Sequence, residues 1–230
     1  MASATKEINV ELNAEKDLSM LTIKPEPLSD GRAEKIIEWL SRYCSENDLK
    51  VVYDAKIMMK EEYILAHYGG PKKIEEVGKK VLASMRMSSP ELRAKLEGTG
   101  FTSMEAESLG RIIMNKELRD YPGKEFRVLL IAGKDALSKI RSLRGASDPS
   151  VSGKGTIRGE FSTGMSIADV LLHDKPLDNV VHVTLNKDEL RDELNLILGT
   201  SPKEVLESTA YAKSLIRRQS SVNVGTYGDV

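Results

Sequence analysis

Four apolar runs along the chain carry the pattern of β-strands. The third is almost continuously apolar, which is typical of a strand buried on both faces. The first ends where Pro25 and Pro27 follow, because proline cannot donate a hydrogen bond to a neighbouring strand. The fourth is rich in valine, a residue that favours strands. The predicted strands are 17–24, 49–59, 126–132 and 179–185.

Helical periodicity separates these strands. After Gly31, apolar residues recur at the spacing of a helix with one buried face. Cys44 falls on that apolar face and is predicted to be a buried thiol. Gly199 ends a later helix, as glycine commonly does. The predicted helices are the one from Gly31 through Cys44, then 60–68, 136–143, 186–198 and 202–218.

Two long segments interrupt this alternation. Residues 72–121 are charged and helical in pattern, with breaks at 88–90 and 98–100, and are predicted to form an inserted helical segment. Residues 145–179 are rich in Gly, Ser and Asp and are predicted to be mainly an ordered loop. The predicted organisation is a flexible leader at 1–17, one domain at 18–199 with a helical insert at about 70–121, and a C-terminal helix and mobile tail at 200–230.

The order of the elements indicates the fold class. Along the chain, the predicted elements are strand, helix, strand, helix, the insert, strand, helix, the loop, strand and helix. This order predicts an α+β protein with a ferredoxin-like antiparallel sheet, helices packed on one face, a helical insert and a C-terminal helical extension. The order of elements does not by itself give a function.

Composition limits the functional classes. The 230 residues carry a net charge of −1 and only 5% aromatic residues, so nucleic acid is an unlikely partner and anion binding must come from local placement of Arg and Lys. One cysteine excludes an internal disulfide. No apolar run approaches the roughly 20 residues of a membrane span, and the N-terminus lacks the apolar core of a signal peptide. The sequence therefore predicts a cytoplasmic protein that does not enter the membrane.

The segment from Arg141 to Arg158 has the residues of a phosphate site. Its arginines could bind phosphate oxygens in pairs, and its glycines would let backbone N–H groups approach an anion. A solvated basic loop is the alternative that these residues leave open. A P-loop is excluded because the spacing is wrong and Gly155 stands where Ser or Thr is required. The residues concerned are Arg141, Arg144, Lys154 and Arg158, among Gly145, Ser147, Gly153, Gly155 and Thr156.

His182 is the candidate nucleophile. It lies within the last strand, where a lone histidine often has only a structural role. On the following helix, Glu193 falls at the edge of the buried stripe, since a helix turns by about 100° per residue. A carboxylate there needs a partner, and by binding one ring nitrogen it would leave the other free to react. A partly exposed surface acid is the alternative for Glu193.

Four motifs along the chain belong together. They are Ile23-Lys-Pro-Glu26, Arg141-Ser-Leu-Arg-Gly-Ala-Ser-Asp-Pro149, Gly155-Thr-Ile-Arg-Gly-Glu-Phe161 and Asn179-Val-Val-His182. Taken together, they resemble the motifs of nucleoside diphosphate kinases. They occur in the family's order, and Gly145 to Arg158 and His182 to Glu193 keep the family's intervals. The resemblance covers about 18–199 and is closest to a longer-chain branch of the family, in which His-Tyr-Gly also precedes an insert.

The resemblance implies an activity: transfer of the γ-phosphate of a nucleoside triphosphate to a nucleoside diphosphate, by a ping-pong mechanism through phosphohistidine. It also implies Mg²⁺ as cofactor, held mainly by the nucleotide phosphates and not by the protein, and a homo-oligomer. The residue roles that it implies are a phosphate carrier (His182), an acid that orients the histidine (Glu193), a cation that neutralises the phosphate during transfer (Lys24), a phenol beside the histidine that helps to position that phosphate (Tyr68), phosphate ligands (Arg141, Ser147, Arg158) and a ribose contact (Asn179).

This chain departs from the family pattern at several positions. Val183 follows the histidine where a small residue is usual, and Glu26 and Glu160 replace Asp. The aromatic residue that stacks on the base has no clear counterpart, and Phe101 lies too deep in the insert to be assigned to that role.

Two other functions remain open at this point. The first is a catalytically inactive nucleotide-binding relative with a regulatory or scaffold role. The second is a ferredoxin-like RNA-binding module, which would need aromatic residues on an exposed sheet face. His173 is a competing nucleophile, but its Asp-Lys-Pro context indicates a loop.

Overall fold

The computed structural model describes residues 16–208. The flexible leader predicted at 1–17 lies almost entirely outside these residues. The predicted C-terminal helix is helical over 202–208; the rest of that prediction, and the mobile tail, lie outside the described residues.

One sheet of four strands organises the described chain. The strands are β1 (Leu18–Ile23), β2 (Lys50–Met58), β3 (Glu125–Ala132) and β4 (Val181–Val183). They lie in the order β2-β3-β1-β4, and every neighbouring pair is antiparallel. This is the strand order of a ferredoxin-like sheet, so the predicted α+β class is confirmed.

Nine α-helices lie between residues 16 and 198, two of which the sequence did not predict. Helix α1 begins immediately after β1 with Pro25 in its first turn, where proline needs no N–H partner. The short helix α8 lies within the segment predicted as a loop, and the Thr156 side chain caps it. The helices are α1 (Pro25–Asp30), α2 (Arg32–Glu46), α3 (Glu61–Tyr68), α4 (Pro71–Met87), α5 (Pro90–Gly98), α6 (Ala106–Asp120), α7 (Ala136–Arg144), α8 (Ile157–Phe161) and α9 (Lys187–Leu198).

Helices cover both faces of the sheet, so the prediction of helices on one face was wrong. Alternate residues of β1 enter two separate cores: Leu18 and Met20 pack with α3, α4, α6 and α9, whereas Leu21 and Ile23 pack with α2 and α7. All six residues of β1 are buried. The physical reason is that helices α4 and α6 of the insert pack together with α3 and α9 as a second layer, on what we call the insert face of the sheet.

The two long helices of the insert touch through their backbones. An added Cβ atom at Gly78 of α4 would lie 1.6 Å from the carbonyl oxygen of Ala106, and one at Gly110 of α6 would lie 1.9 Å from that of Ile74. Only glycine permits this approach. The insert is therefore a close-packed layer that holds α6 in a fixed position over the sheet.

Strand β4 is shorter than predicted because a tight turn precedes it. Val180 has a φ of +50°, which is rare for a β-branched residue. The N–H of Val181 donates to the carbonyl of Asn179 at 2.6 Å, which closes a three-residue γ-turn. The turn makes β4 begin only at Val181 and sets the position of Asn179 beside it.

Candidate active site

A small cavity on the insert face brings together most of the predicted site residues. Its volume is about 90 Å³. It lies between the ends of β1 and β4, the loop after α7, and helices α3, α4 and α6. Seven predicted residues line it: Lys24, Tyr68, Arg144, Ser147, Arg158, Asn179 and His182. Four further polar residues that line it were not assigned to the cavity from the sequence: His67, Lys73, Lys80 and Glu117.

Strand register explains how His182 reaches this cavity. His182 pairs with Thr22 across the β1–β4 ladder, so both side chains lie on the insert face. Val183 lies on the opposite face, in the core with α2 and α7. The bulkier residue after the histidine is thus directed away from the cavity by the alternation of the strand.

Glu193 holds the His182 ring by one nitrogen. The two oxygens of the carboxylate lie 2.9 and 3.1 Å from Nε2 of His182. Both side chains are almost fully buried. With the proton on Nε2 and donated to Glu193, the lone pair is on Nδ1. The predicted pairing of these two residues is therefore present in the geometry.

Burial and charge set the protonation of this pair. Burial lowers the pKa of His182 below its ordinary 6.5, against the opposing effect of the Glu193 carboxylate. For Glu193, burial favours the neutral acid, but the imidazoles of His182 and His67 outweigh it and hold the pKa of this carboxyl well below its usual range. At neutral pH the arrangement is a neutral imidazole beside an ionised carboxylate.

His67 is a site residue that the sequence did not assign. Its Nδ1 lies 3.0 Å from Oε1 of Glu193, the oxygen that also binds His182. The two imidazole rings are 4.2 Å apart and nearly perpendicular. His67 comes from α3, next to Tyr68, and the sequence carries no spacing that would relate it to Glu193. Only the packing of α3 on α9 brings the two together.

Lys24 is buried and already paired with a carboxylate. Its Nζ lies 3.2 and 3.3 Å from the two carboxylate oxygens of Glu117, on α6 of the insert. The ammonium also lies 5.7 and 5.1 Å from the ring centres of Tyr68 and Tyr121, within the range of cation–π attraction. Glu26, which departs from the expected motif, accepts a hydrogen bond from the Tyr121 hydroxyl at 3.0 Å.

Tyr68 keeps its phenolic proton. Burial raises its pKa well above 10, and the carboxylates of Glu117 and Glu193 act in the same direction. It therefore lines the cavity as a neutral hydroxyl that is able to donate a hydrogen bond.

Arg158 is buried and binds three backbone carbonyls. It donates to Asn179 at 3.0 Å, Ala146 at 2.8 Å and Val181 at 2.8 Å. Burial lowers its pKa, and the nearby charge of Arg144 acts in the same direction. The guanidinium thus ties the glycine-rich loop to β4 while it lines the cavity.

The other predicted phosphate ligands differ in position. Ser147 lines the cavity and accepts a hydrogen bond from Lys80 at 3.4 Å. Arg141 is exposed and donates to the carbonyl of Leu185, a lining residue, at 3.4 Å. It therefore stands at the rim, and Arg144, one turn later, lines the cavity instead.

The insert adds cations to the cavity. Lys73 and Lys80 are two turns apart on α4 and both line it. Burial lowers the pKa of Lys80, and the charges of Lys73, Arg144 and Arg158 add to this effect. Positive charge is therefore concentrated in the cavity, as an anionic ligand requires.

The competing residues lie elsewhere. His173 is exposed and lines a different surface depression, together with residues of α5. Glu160 accepts from the backbone N–H of Gly155 at 2.8 Å and so stabilises the loop. Phe101 packs against the core of the insert face and is not among the residues that line the cavity. Between residues 16 and 208, no helix is long and apolar enough to cross a membrane.

Fold and site together define an α+β protein with a cationic cavity around a buried histidine–carboxylate pair. No family model matches the chain. A nucleoside diphosphate kinase of Pyrococcus furiosus is 26% identical over 128 residues, which cover 50% of this chain and 73% of that protein. That of Pyrobaculum aerophilum is 26% identical over 191 residues, or 82% of this chain and 97% of that protein.

The fold is shared with a solved structure. An NDP kinase from Pyrobaculum aerophilum superposes with a TM-score of 0.61 at 22% identity, over 79% of this chain and 94% of that one. The chain is therefore similar in sequence to these nucleoside diphosphate kinases and shares the fold of this solved structure.

Proposed function

We propose that this protein is a nucleoside diphosphate kinase that carries a phosphoryl group on Nδ1 of His182. One observation supports this most strongly: a buried imidazole is held through Nε2 by Glu193 and lines a cavity with several cationic side chains. A histidine with only a structural role would not need the Lys and Arg residues gathered around it.

The proposed reaction has two mirrored steps. The Nδ1 lone pair attacks the γ-phosphorus of a nucleoside triphosphate, and the bond to the bridging oxygen breaks, which releases the diphosphate. A second diphosphate then attacks the phosphohistidine, and the electron pair returns to Nδ1. Phosphoryl transfer depends mainly on positioning and charge stabilisation, which Lys24, Arg158 and the Tyr68 hydroxyl would supply.

The nucleotide would bring its own Mg²⁺. Glu117 is the one carboxylate that lines the cavity in the described part of the chain, and it is already paired with Lys24. Among the described residues, the cavity lining therefore offers phosphate-binding cations but no free carboxylate for Mg²⁺. When bound, Mg²⁺ would neutralise developing charge on the phosphate oxygens.

Further parts of the proposal come from the family relationship. Ser147 and Arg141 would bind the phosphates, with Arg141 moving inward from the rim, and Asn179 would bind the ribose. The substrates would be nucleoside di- and triphosphates, and the protein would assemble as a homo-oligomer.

A catalytically inactive nucleotide-binding relative is the second candidate. The observation that favours it is the pairing of Lys24 with Glu117, which occupies the ammonium group that the phosphate would need. The RNA-binding alternative loses its basis, because helices cover both faces of the sheet on which bases would have to stack.

The deciding experiment is transfer of radiolabelled phosphate from [γ-³²P]ATP to the full-length protein. We expect an acid-labile, alkali-stable label that ADP or another diphosphate removes. His182→Ala should carry no label, and His173→Ala, at an exposed histidine outside the cavity, should label like the wild type. Absence of label on a wild-type protein that still binds nucleotide would favour the inactive relative. Acceptors with different bases would then establish specificity.

We predict that the rate of phosphoenzyme formation falls on acidification with a midpoint below pH 6.5. Burial lowers the pKa of His182, so the ring stays neutral and Nδ1 keeps its lone pair below the ordinary pKa of 6.5. The same shift means that the unfolded chain binds more protons than the folded one between the folded pKa and 6.5. The free energy of unfolding should therefore fall as the pH drops below 6.5. Single-turnover labelling from pH 4.5 to 8 measures this fall in rate, and a midpoint above 6.5 would contradict the prediction.

A further inference from the structure

Four metal-binding side chains converge behind the His182 ring. They are His67 on α3, His182 on β4, and Glu189 and Glu193 on α9. One donor atom from each lies within 4.8 Å of the others. We propose that this cluster is a binding site for a divalent transition metal ion, with zinc as the best fit, and that its occupation switches off phosphorylation of His182.

The distances are those of a nearly assembled site. Oε1 of Glu193 lies 2.9 Å from Nε2 of His182 and 3.0 Å from Nδ1 of His67, and Oε1 of Glu189 lies 4.0 Å from Nε2 of His182. Tetrahedral zinc with bonds of about 2.0–2.2 Å places its ligand atoms roughly 3.3–3.6 Å apart. Shifts of less than about an ångström per side chain would therefore complete the coordination.

The donors are held on rigid elements. His67, His182 and Glu193 are each at most 11% exposed, so their side chains have little freedom to move. Glu189 is oriented by the backbone N–H of Leu185, which donates to its Oε2 at 2.6 Å and leaves Oε1 towards the histidine. Such outer hydrogen bonds fix ligands in natural metal sites.

The donor set discriminates between cations. Two imidazole nitrogens and two carboxylates suit zinc, whereas magnesium and calcium prefer oxygen ligands alone. Two neutral imidazoles and two carboxylates carry a charge of −2, which a divalent ion would balance. A hydrogen-bonded histidine–glutamate pair needs only Glu193, so the second histidine and the second acid are surplus to the orienting role.

Occupation of the site and phosphorylation exclude one another, a consequence that rests on the proposed function. A neutral imidazole has one N–H and one lone pair. If Nε2 of His182 binds a metal ion, the proton must be on Nδ1. Nδ1 then has no lone pair with which to attack phosphorus. The same ring that serves as nucleophile would thus be locked in its unreactive tautomer.

Binding is tested without nucleotide, on the full-length protein freed of metal. Zinc is titrated by calorimetry, and cobalt by the visible absorption of a tetrahedral site. We expect one ion per chain. His67→Gln and Glu189→Gln should each weaken binding at least about tenfold, since even outer-shell changes cost roughly 10- to 100-fold. The matched controls are His173→Gln and Asp188→Asn, both exposed, which should bind like the wild type.

Either of two results would overturn the proposal. The first is that the wild type shows no saturable binding of zinc or cobalt. The second is that Glu189→Gln and Asp188→Asn bind zinc equally well. Thermal melts identify any variant that fails to fold. Glu189 is the most exposed of the four ligands at 20%, so Glu189→Gln is the substitution expected to disturb folding least.

A second arm separates this inference from the proposed function. Zinc should abolish labelling by [γ-³²P]ATP, and a chelator should restore it. Zinc binding with no labelling under any condition would overturn the kinase proposal, and with it the inhibition by zinc, but not the metal site. Labelling that zinc leaves unchanged, in a protein that does not bind zinc, would overturn the metal site alone.

Discussion

Arg158→Met is expected to lower the free energy of unfolding by at least about 3 kcal/mol. The guanidinium is buried and donates to the carbonyls of Ala146, Asn179 and Val181. Methionine fills much of the space but donates nothing. Three hydrogen bonds from a charged group are therefore lost, and each is worth about 1.5–3 kcal/mol. Urea denaturation followed by circular dichroism measures the loss.

The control and the conservative variant sharpen this prediction. Arg191 lies on the exposed side of α9 and pairs only with neighbouring acids, so Arg191→Met should change stability by less than about 0.5 kcal/mol. Arg158→Lys should restore little, because one ammonium group cannot reproduce the planar fork of three donors. If Arg158→Met unfolds at the same urea concentration as the wild type, the loop is not held by this side chain.

Glu117→Gln is expected to destabilise the ligand-free protein by about 3 kcal/mol. It removes the carboxylate that pairs with the buried Lys24, and a buried ion pair broken on one side costs about 3–5 kcal/mol. The effect should be at the low end of that range, because the Glu26 carboxyl also interacts with Lys24. Thermal and urea denaturation without nucleotide measure it.

The same substitution should increase stabilisation by nucleotide. Without Glu117, a phosphate group meets an unpaired ammonium and no competing carboxylate, so ATP with Mg²⁺ should raise the melting temperature more than in the wild type. Glu107→Gln is the matched control, since Glu107 lies on the same helix but is exposed and paired with Arg111. An equal nucleotide-induced shift in Glu117→Gln and the wild type would show that Lys24 does not contact the phosphates.

The insert contributes side chains to the site. Helix α6 places Glu117 on Lys24, and α4 places Lys73 and Lys80 in the cavity. The cavity of about 90 Å³ has space for a phosphate group but not for a whole nucleotide. In the proposed complex, only a phosphate group would lie inside this cavity, beside the Glu117–Lys24 pair.

Much of the architecture was determined by the sequence alone. The four strands, the antiparallel α+β class and the helices that follow each strand were predicted from apolar periodicity, which reflects which side of each element is buried. The pairing of His182 with Glu193 was also predicted, because a strand followed at once by a helix leaves their separation fixed by local geometry. Ser147, Arg158 and Asn179 line the same cavity as His182, as the family's motifs imply.

Only the tertiary structure decided what surrounds those residues. His67 and Glu117 reach the site through the packing of α3 and α6, and a charged helical segment does not specify which distant residue it will meet. The coverage of the second sheet face was missed for the same reason. The direct backbone contact of α4 and α6 at Gly78 and Gly110 fixes the insert's position. Periodicity reports the burial of a face, but not the partner that buries it.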